Sequence, residues 1–429
     1  MSSTKRKPPQ PRLLVADKNG EIYEESDLLM LCRRGTELGL PRPDELMPLP
    51  EECEFFLLPG RRALGYDPES GEVEPMAELA VAAFVCPGHT VTGTAAYLSD
   101  FDAPRLPLLS YAAIGYAEGK FWACARRVDQ DQRQVFTGIS QDKIRDGALK
   151  LMRECPDNRL IQHLTGCALT YGCPAAKNLA LGRYEAPLPT ARTCNARCVG
   201  CISLQPEDSG FPSPQKRIAF TPTPEEIVEV MQRHALRERV RPVFSFGQGC
   251  EGEPLTGWEN LREAVALFRA RGGRGTVNLN TNASIPGAMA PLAQAGLDSI
   301  RVSLNSVRPG PYEAYYRPNG YGHGEVVESI RAAKAAGLFV SLNYLFFPGL
   351  SDGEAEYQAL EALVAETKLD FIQLRNLNLD PELYLKLMEP HEWGPAMGFS
   401  NFRKRLKKAC PWLGFGYFNP YLPDRPTAV

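Results

Sequence analysis

Three cysteines crowd the stretch "RTCNARCVGCISL": Cys194, Cys198 and Cys201, in a Cys-x3-Cys-x2-Cys spacing. Thiolates this close together can ligate one soft metal centre, an iron–sulfur cluster or zinc. A four-iron cluster normally uses four thiolates, so three leave one iron open to a ligand that is not protein. An open position separates a reactive centre from a structural one, by the logic that divides catalytic from structural zinc. The alternative is a closed zinc or iron–sulfur site with Cys250 or Cys173 as fourth ligand, in a non-catalytic module for electron transfer or regulation.

A second stretch, "FSFGQGCEGEP", matches G-x-G-x-x-G at Gly247–Gly252 and invites a dinucleotide reading. Its charge argues against that reading. A helix N-terminus holds pyrophosphate because it is positive, and Glu251 and Glu253 oppose it. The following strand, ending "VNLNTNAS", also lacks the carboxylate that would hold ribose hydroxyls.

Both stretches must be carried by regular elements. From about residue 188, strand-like runs near 188–193, 242–246, 275–280, 298–304, 338–346 and 369–376 alternate with helical runs. Six βα units imply a parallel sheet with right-handed crossovers. The fold class expected is α/β: a partial (β/α)6 TIM-like barrel, with its site at the C-terminal strand ends. The stretches of interest fall there. Residues 13–185 read as an N-terminal α+β domain, with helical spacing at 27–40 and a helix at 140–155 opened by Ser140. The barrel is placed at 186–380 and a C-terminal cap at 381–429. Residues 1–12 read as a disordered leader.

Cys-x3-Cys-x2-Cys on the loop after the first strand of such a barrel resembles the radical S-adenosylmethionine (radical SAM) superfamily. The resemblance implies a 4Fe–4S cluster on Cys194, Cys198 and Cys201, with S-adenosylmethionine on the open iron. It implies reductive cleavage to methionine and a 5′-deoxyadenosyl radical that abstracts hydrogen from a substrate. It also implies an electron donor such as flavodoxin or ferredoxin, and a substrate that is a small molecule, peptide or RNA. Glu251-Gly252-Glu253-Pro254 is similar to the family's Gly-Gly-Glu-Pro loop for the methionine amino group, departing at Glu251. By the same resemblance Asn280, Asn282, Ser303, Asn305 and Asn343 line the cofactor site; Arg317, which follows the fourth strand, is either the partner of the methionine carboxylate or an exposed loop arginine. Gly200 stands where many members carry an aromatic residue, so adenine contacts there would come from backbone.

Lys+Arg 48 against Asp+Glu 51 leaves no net field that would recruit nucleic acid or anionic membrane. With no apolar run of the ~20 residues needed to span a bilayer, the expected location is cytoplasmic. A reducing compartment makes thiols or metal ligands of the twelve cysteines. Cys124, Cys155, Cys167 and Cys173 are candidates for an auxiliary iron–sulfur cluster or, alternatively, small core residues. "FRKRLKKAC" reads as a solvated helix face, with nucleic-acid contact as the alternative, and His89 as a satisfied turn histidine.

Overall fold

The computed structural model describes residues 9–423. Expectations for the leader that fall on residues 1–8 lie outside the described residues. The chain divides into two compact units. One comprises 1–130, 345–361 and 374–411, and the other 131–344, 362–373 and 412–429.

The first unit is built on a twelve-stranded, antiparallel sheet. Its longest ladder joins Glu54–Tyr66 to Val73–Phe84. The pairing register shifts between Leu57 and Arg62. Pro59 has no N–H to donate there, and Gly60 takes a positive φ of 69°. Residues 27–40 are a correction to the sequence reading: they form strands Ile22–Met30, Cys32–Arg34 and Glu37–Gly39 rather than a helix. Leu28, Leu29, Met30 and Leu31 are buried in succession, and Gly35 at φ 57° turns the chain so that Arg34 faces Glu37. The two-residue turn outweighs the helical spacing. Arg61 makes a 2.8 Å ion pair with Asp380, both deeply buried, and also donates to the carbonyls of Pro59 and Pro104. Asp380 in turn caps helix Pro381–Met388. The basic run lies on helix Phe399–Ala409, which buries Phe399, Phe402 and Leu406, leaves Lys404, Arg405, Lys407 and Lys408 exposed and half-buries Arg403. His89 is buried with Nδ1 3.1 Å from the Cys86 carbonyl.

The second unit opens with helices Gln141–Glu154, Arg159–Thr170 and Pro174–Leu181. Ser140 caps the first by accepting from the Lys143 amide. These helices group with the barrel, so the boundary falls at 130/131 and not at 185/186. Six strands follow in a parallel sheet, in chain order: β1 Glu185–Pro187, β2 Val243–Phe246, β3 Thr276–Thr281, β4 Ser299–Leu304, β5 Phe339–Phe346 and β6 Phe371–Asn376. Helices connect them, among them Pro224–Arg237, Trp258–Ala270 and His323–Ala335. This is the partial TIM-like α/β barrel. Five strands fall where the apolar runs placed them. The first lies earlier than 188–193, because after Leu188 donates to the Ser245 carbonyl, Pro189 has no N–H to extend the ladder. The expected cap divides at 411/412, and its last part adds a parallel strand, β7 Gly414–Gly416, beside β6. No helix among the described residues is long and apolar enough to cross a membrane.

Candidate functional site

The loop leaving β1 carries Cys194, Cys198 and Cys201, each half-buried, and none of the twelve cysteines is in a disulfide. Its backbone is fixed from the segment after β4. Arg197 N donates to the Tyr316 carbonyl at 3.1 Å, Val199 N to Tyr315 at 3.0 Å, and Asn319 N to Asn195 at 2.9 Å. Gln205 closes the other side by donating to the carbonyls of Val199 and Cys201. Burial pushes the Cys198 thiol well up, and the neighbouring Cys201 and Cys194 push it further. Burial also raises Cys194, with Glu253 and Cys201 adding to it. Thiols held this close together ionise together only when a cation sits among them.

The loop leaving β2 lies against the cysteine loop. The Gly252 amide donates to the Ala191 carbonyl at 2.7 Å and the Glu253 amide to Thr193 at 2.9 Å. A Cβ on Gly252 would stand 1.9 Å from the Thr193 carbonyl oxygen, so only glycine permits this approach. Gly247 is similarly constrained: at φ 75° its Cβ would stand 1.8 Å from the Asn280 carbonyl oxygen. Glu251 is buried with both carboxylate oxygens engaged. One accepts from the amides of Thr190 (2.7 Å) and Ala191 (2.9 Å), the other from Gln248 (2.6 Å). Glu253 reaches the opposite way, accepting from the amides of Leu255 (3.0 Å) and Asn282 (2.7 Å) and from the Thr281 hydroxyl. Burial pushes both carboxyls up to about 7 against the pull of these donors. One glutamate therefore ties the loop to the end of β1, the other to the end of β3.

The remaining polar strand ends separate into groups. Asn282 donates to Asn195 Oδ1 (2.8 Å), and Asn195 donates to Ser284 (2.9 Å), which joins the cysteine loop to β3. Asn280 donates to the Gly247 carbonyl and accepts from Asn278, which itself accepts from Ser299. On the next pair of strands Asn343 Nδ2 donates to Ser303 Oγ at 3.2 Å, and Asn343 Oδ1 is buried without a protein partner. Asn305 is fully buried, and its amide donates to the Pro311 carbonyl, holding the turn into helix Pro309–Tyr316. Arg317 is exposed at the C-terminus of that helix with φ 46°. Its carbonyl accepts from Arg197 N, while its side chain pairs with no carboxylate among the described residues.

Two features escaped the sequence reading. Tyr312 stacks on Tyr316 with centroids 4.7 Å apart, and its hydroxyl donates to Tyr321. Burial first, and the nearby Cys198 sulfur as a further cause, push these phenols up. The run "YEAYYRPNGY" holds the signal, but the helix that folds it beside the cysteines is tertiary information. The second is a buried polar group on the sheet: Glu185 with Arg133 (3.1 Å), and Asn419 donating to Glu185, Ser245 and Asn280. Burial pushes the Glu185 carboxyl up, but Arg133, Ser245, Asn419 and Arg301 outweigh it and leave it lowered.

The other candidate thiols lie apart from the cysteine loop's hydrogen-bond frame. Cys124 sits in the core of the first unit's sheet with Met30, Cys32, Leu46 and Ala113. Cys155 follows helix Gln141–Glu154 as its cap. Cys167 and Cys250 form one buried cluster with Ala168 and Ala176, and the half-buried Cys173 packs against it.

The family model for the radical SAM superfamily matches residues 188–359, which contain the cysteine loop and β2 to β5. Over this segment the chain is similar to that superfamily, whose members use a 4Fe–4S cluster and S-adenosylmethionine. The GTP 3′,8-cyclase of Streptomyces coelicolor is 29% identical over 203 residues, 45% of this chain and 54% of that protein. A probable GTP 3′,8-cyclase of Thermococcus kodakarensis is 36% identical over 183 residues, 42% of this chain and 53% of that one. The chain thus spans about half the length of these relatives. Among solved structures, Streptococcus suis SuiB bound to S-adenosylmethionine is 11% identical, covering 72% of this chain and 70% of that one, with a TM-score of 0.39.

Proposed function

We propose that Cys194, Cys198 and Cys201 hold a 4Fe–4S cluster, that S-adenosylmethionine occupies the iron they leave open, and that the chain is a radical SAM enzyme. The observation carrying this reading is the backbone pairing of the cysteine loop with Glu251-Gly252-Glu253-Pro254, three thiols beside a rigid, carbonyl-bearing turn. Three half-buried thiols from one loop fit a cluster with an open iron. Cys250, the fourth ligand of the closed alternative, instead meets Cys167 and His163.

When bound, the pair supplies one chemistry: an electron passed through the cluster splits the sulfonium into methionine and a 5′-deoxyadenosyl radical, which takes hydrogen from the substrate. The protein's part is positioning. The Gly252 carbonyl accepts no hydrogen bond from the described residues and is the natural partner for the methionine ammonium. Glu251 acts one step back, as a positioning residue that keeps the loop against β1. Glu253 and Asn282 align β3 with the same loop. Asn343 Oδ1, buried and unpartnered, accepts from the cofactor, with Ser303 orienting it. Asn305 and Arg317 act on this site by shaping the turn after β4 and by holding the Arg197 amide, respectively. The tyrosines around Cys198 exclude water from the cluster.

The electron donor is of the flavodoxin or ferredoxin class. The substrate is a small molecule, peptide or RNA. The GTP 3′,8-cyclases are matched over only about half their length, so cofactor chemistry is proposed for this chain and GTP is not.

The test is anaerobic reconstitution with iron and sulfide, then dithionite and S-adenosylmethionine, with 5′-deoxyadenosine measured. Its formation by the wild-type chain and its loss in Cys198→Ala are expected. No 5′-deoxyadenosine from a chain that has taken up four irons would overturn the reading.

A further inference from the structure

His163 and Cys167 lie four residues apart on helix Arg159–Thr170, a spacing that stacks two side chains on one helix face. The loop after β2 brings Cys250 to that face. The imidazole nitrogen and the two sulfurs all lie within 4.8 Å of one another, the only such triad of metal-ligating side chains among the described residues. Cys173, at the N-cap of helix Pro174–Leu181, packs against the same cluster, and its amide donates to the Cys167 carbonyl at 3.1 Å. Both cysteines of the triad are buried, and His163 is half-buried.

We propose that His163 Nε2 and the thiolates of Cys167, Cys250 and Cys173 form a closed, tetrahedral site for one zinc-class divalent ion, separate from the cysteine loop.

The spacing of the triad fits a single ion. Tetrahedral zinc with sulfur at ~2.3 Å and nitrogen at ~2.1 Å leaves neighbouring ligand atoms roughly 3.5–3.8 Å apart. His163 Nε2 stands 3.5 Å from Cys167 Sγ. An iron–sulfur cluster places irons and sulfides between its thiolates and spreads them wider. The donor set is also of the right kind, since three soft thiolates with one imidazole match structural zinc sites. A buried cysteine alone is an ordinary core residue. An imidazole nitrogen turned onto two such sulfurs is not ordinary packing. Binding displaces the thiol protons, so affinity falls as pH falls.

The position gives the ion a structural task. It would pin two helices that precede β1 to the residue just before Glu251. The Cys250 carbonyl already accepts from Ile218 N at 2.7 Å. The Glu-Gly-Glu-Pro turn would thus be held on one side by Glu251 and on the other by the metal. This site stands independently of the reading proposed for the cysteine loop.

The experiment is metal analysis of the full chain purified anaerobically, without added metal and after passage over a chelating resin. One zinc per chain is expected, and it should persist in the triple variant Cys194→Ala/Cys198→Ala/Cys201→Ala, in which the cluster reading predicts loss of iron. Cys167→Ala should lose the zinc, and Cys173→Ser should bind it at least tenfold more weakly. Wild-type chain grown with cobalt needs no variant to fold. It should show thiolate-to-cobalt charge transfer and the intense visible bands of tetrahedral coordination. Less than a tenth of a metal ion per chain, a Cys167–Cys250 disulfide, or zinc that leaves with the loop cysteines would each overturn the proposal. So would sulfide-dependent iron that disappears with Cys167→Ala.

Discussion

Cys194, Cys198 and Cys201 come from one loop, whereas His163, Cys167, Cys173 and Cys250 are gathered from two helices and a loop far along the chain. Backbone hydrogen bonds to Tyr315, Tyr316 and Asn319 set the geometry of the first group. Helix packing sets the geometry of the second. The loop thiols are half-buried with tyrosines around them, while Cys167 and Cys250 are buried with their sulfurs turned toward one another. An open set suits exchange of a ligand; a closed set suits permanence. Thiol chemistry is common to both, and the difference lies in what surrounds the sulfur.

The comparison breaks most visibly at Cys198. Cys198→Ala should lower 5′-deoxyadenosine formation by more than ~100-fold, because removing a ligand costs more than the loss of an outer partner. Cys167→Ala should leave the loop's iron content intact and reduce the rate through loop geometry alone. Equal iron loss in the two variants, read by metal analysis, would erase the distinction.

Next come the contacts that join the loops. Gly252→Ala forces a Cβ into the Thr193 carbonyl and should cost about 2–4 kcal/mol in urea unfolding. Gly257→Ala, where nothing lies within 4 Å of the added atom, is the control and should cost under ~1 kcal/mol. Similar costs at both positions would show that the close approach is relaxed in solution.

Glu251→Ala leaves the amides of Thr190, Ala191 and Gln248 without their acceptor and should destabilise by about 2–3 kcal/mol. If Glu251 positions the loop, S-adenosylmethionine affinity should fall in this variant and recover substantially in Glu251→Gln. Affinity untouched by the alanine would remove Glu251 from the site.

The smallest effect concerns the scaffold of both groups. His234, fully buried against Phe244 of β2, is pulled down to about 4 by burial. The unfolded chain takes up this proton near pH 6.5 while the native chain does not, so stability falls as pH drops from about 6.5 toward 4. At pH 5.5 the loss is about 1 kcal/mol. His234→Gln should flatten that part of the stability–pH curve, and an unchanged slope would assign the acid sensitivity elsewhere.

The same contrast explains what was legible in the sequence. β2 to β6 could be read because each is a short strand-like run closed by glycine, proline or asparagine. The cysteine trio could be read because its three residues are local in the chain. Glu251 was visible as an oddity, but its bonds to Thr190 and Ala191 depend on how two βα loops pack, which no spacing encodes. His163, Cys167 and Cys250 form a group only after a helix and a distant loop meet. Asn419 likewise reaches Ser245 and Asn280 only because the tail adds a strand to the sheet. At 27–40 a local pattern misled, since Gly35 permits a hairpin that consecutive buried leucines then stabilise. Local signals find ligands and strands; partners across the fold are decided by packing.

The amides of Gly252 and Glu253 are committed to the carbonyls of Ala191 and Thr193, much as in a strip of sheet. The conformational entropy of this turn is therefore surrendered when the chain folds and not when a small molecule arrives. Its amide protons should exchange with solvent as slowly as those of the strands that flank it. An ammonium bound there, as proposed, would meet a surface already shaped for it, and its association would show little of the entropic penalty of a loop closing around a guest.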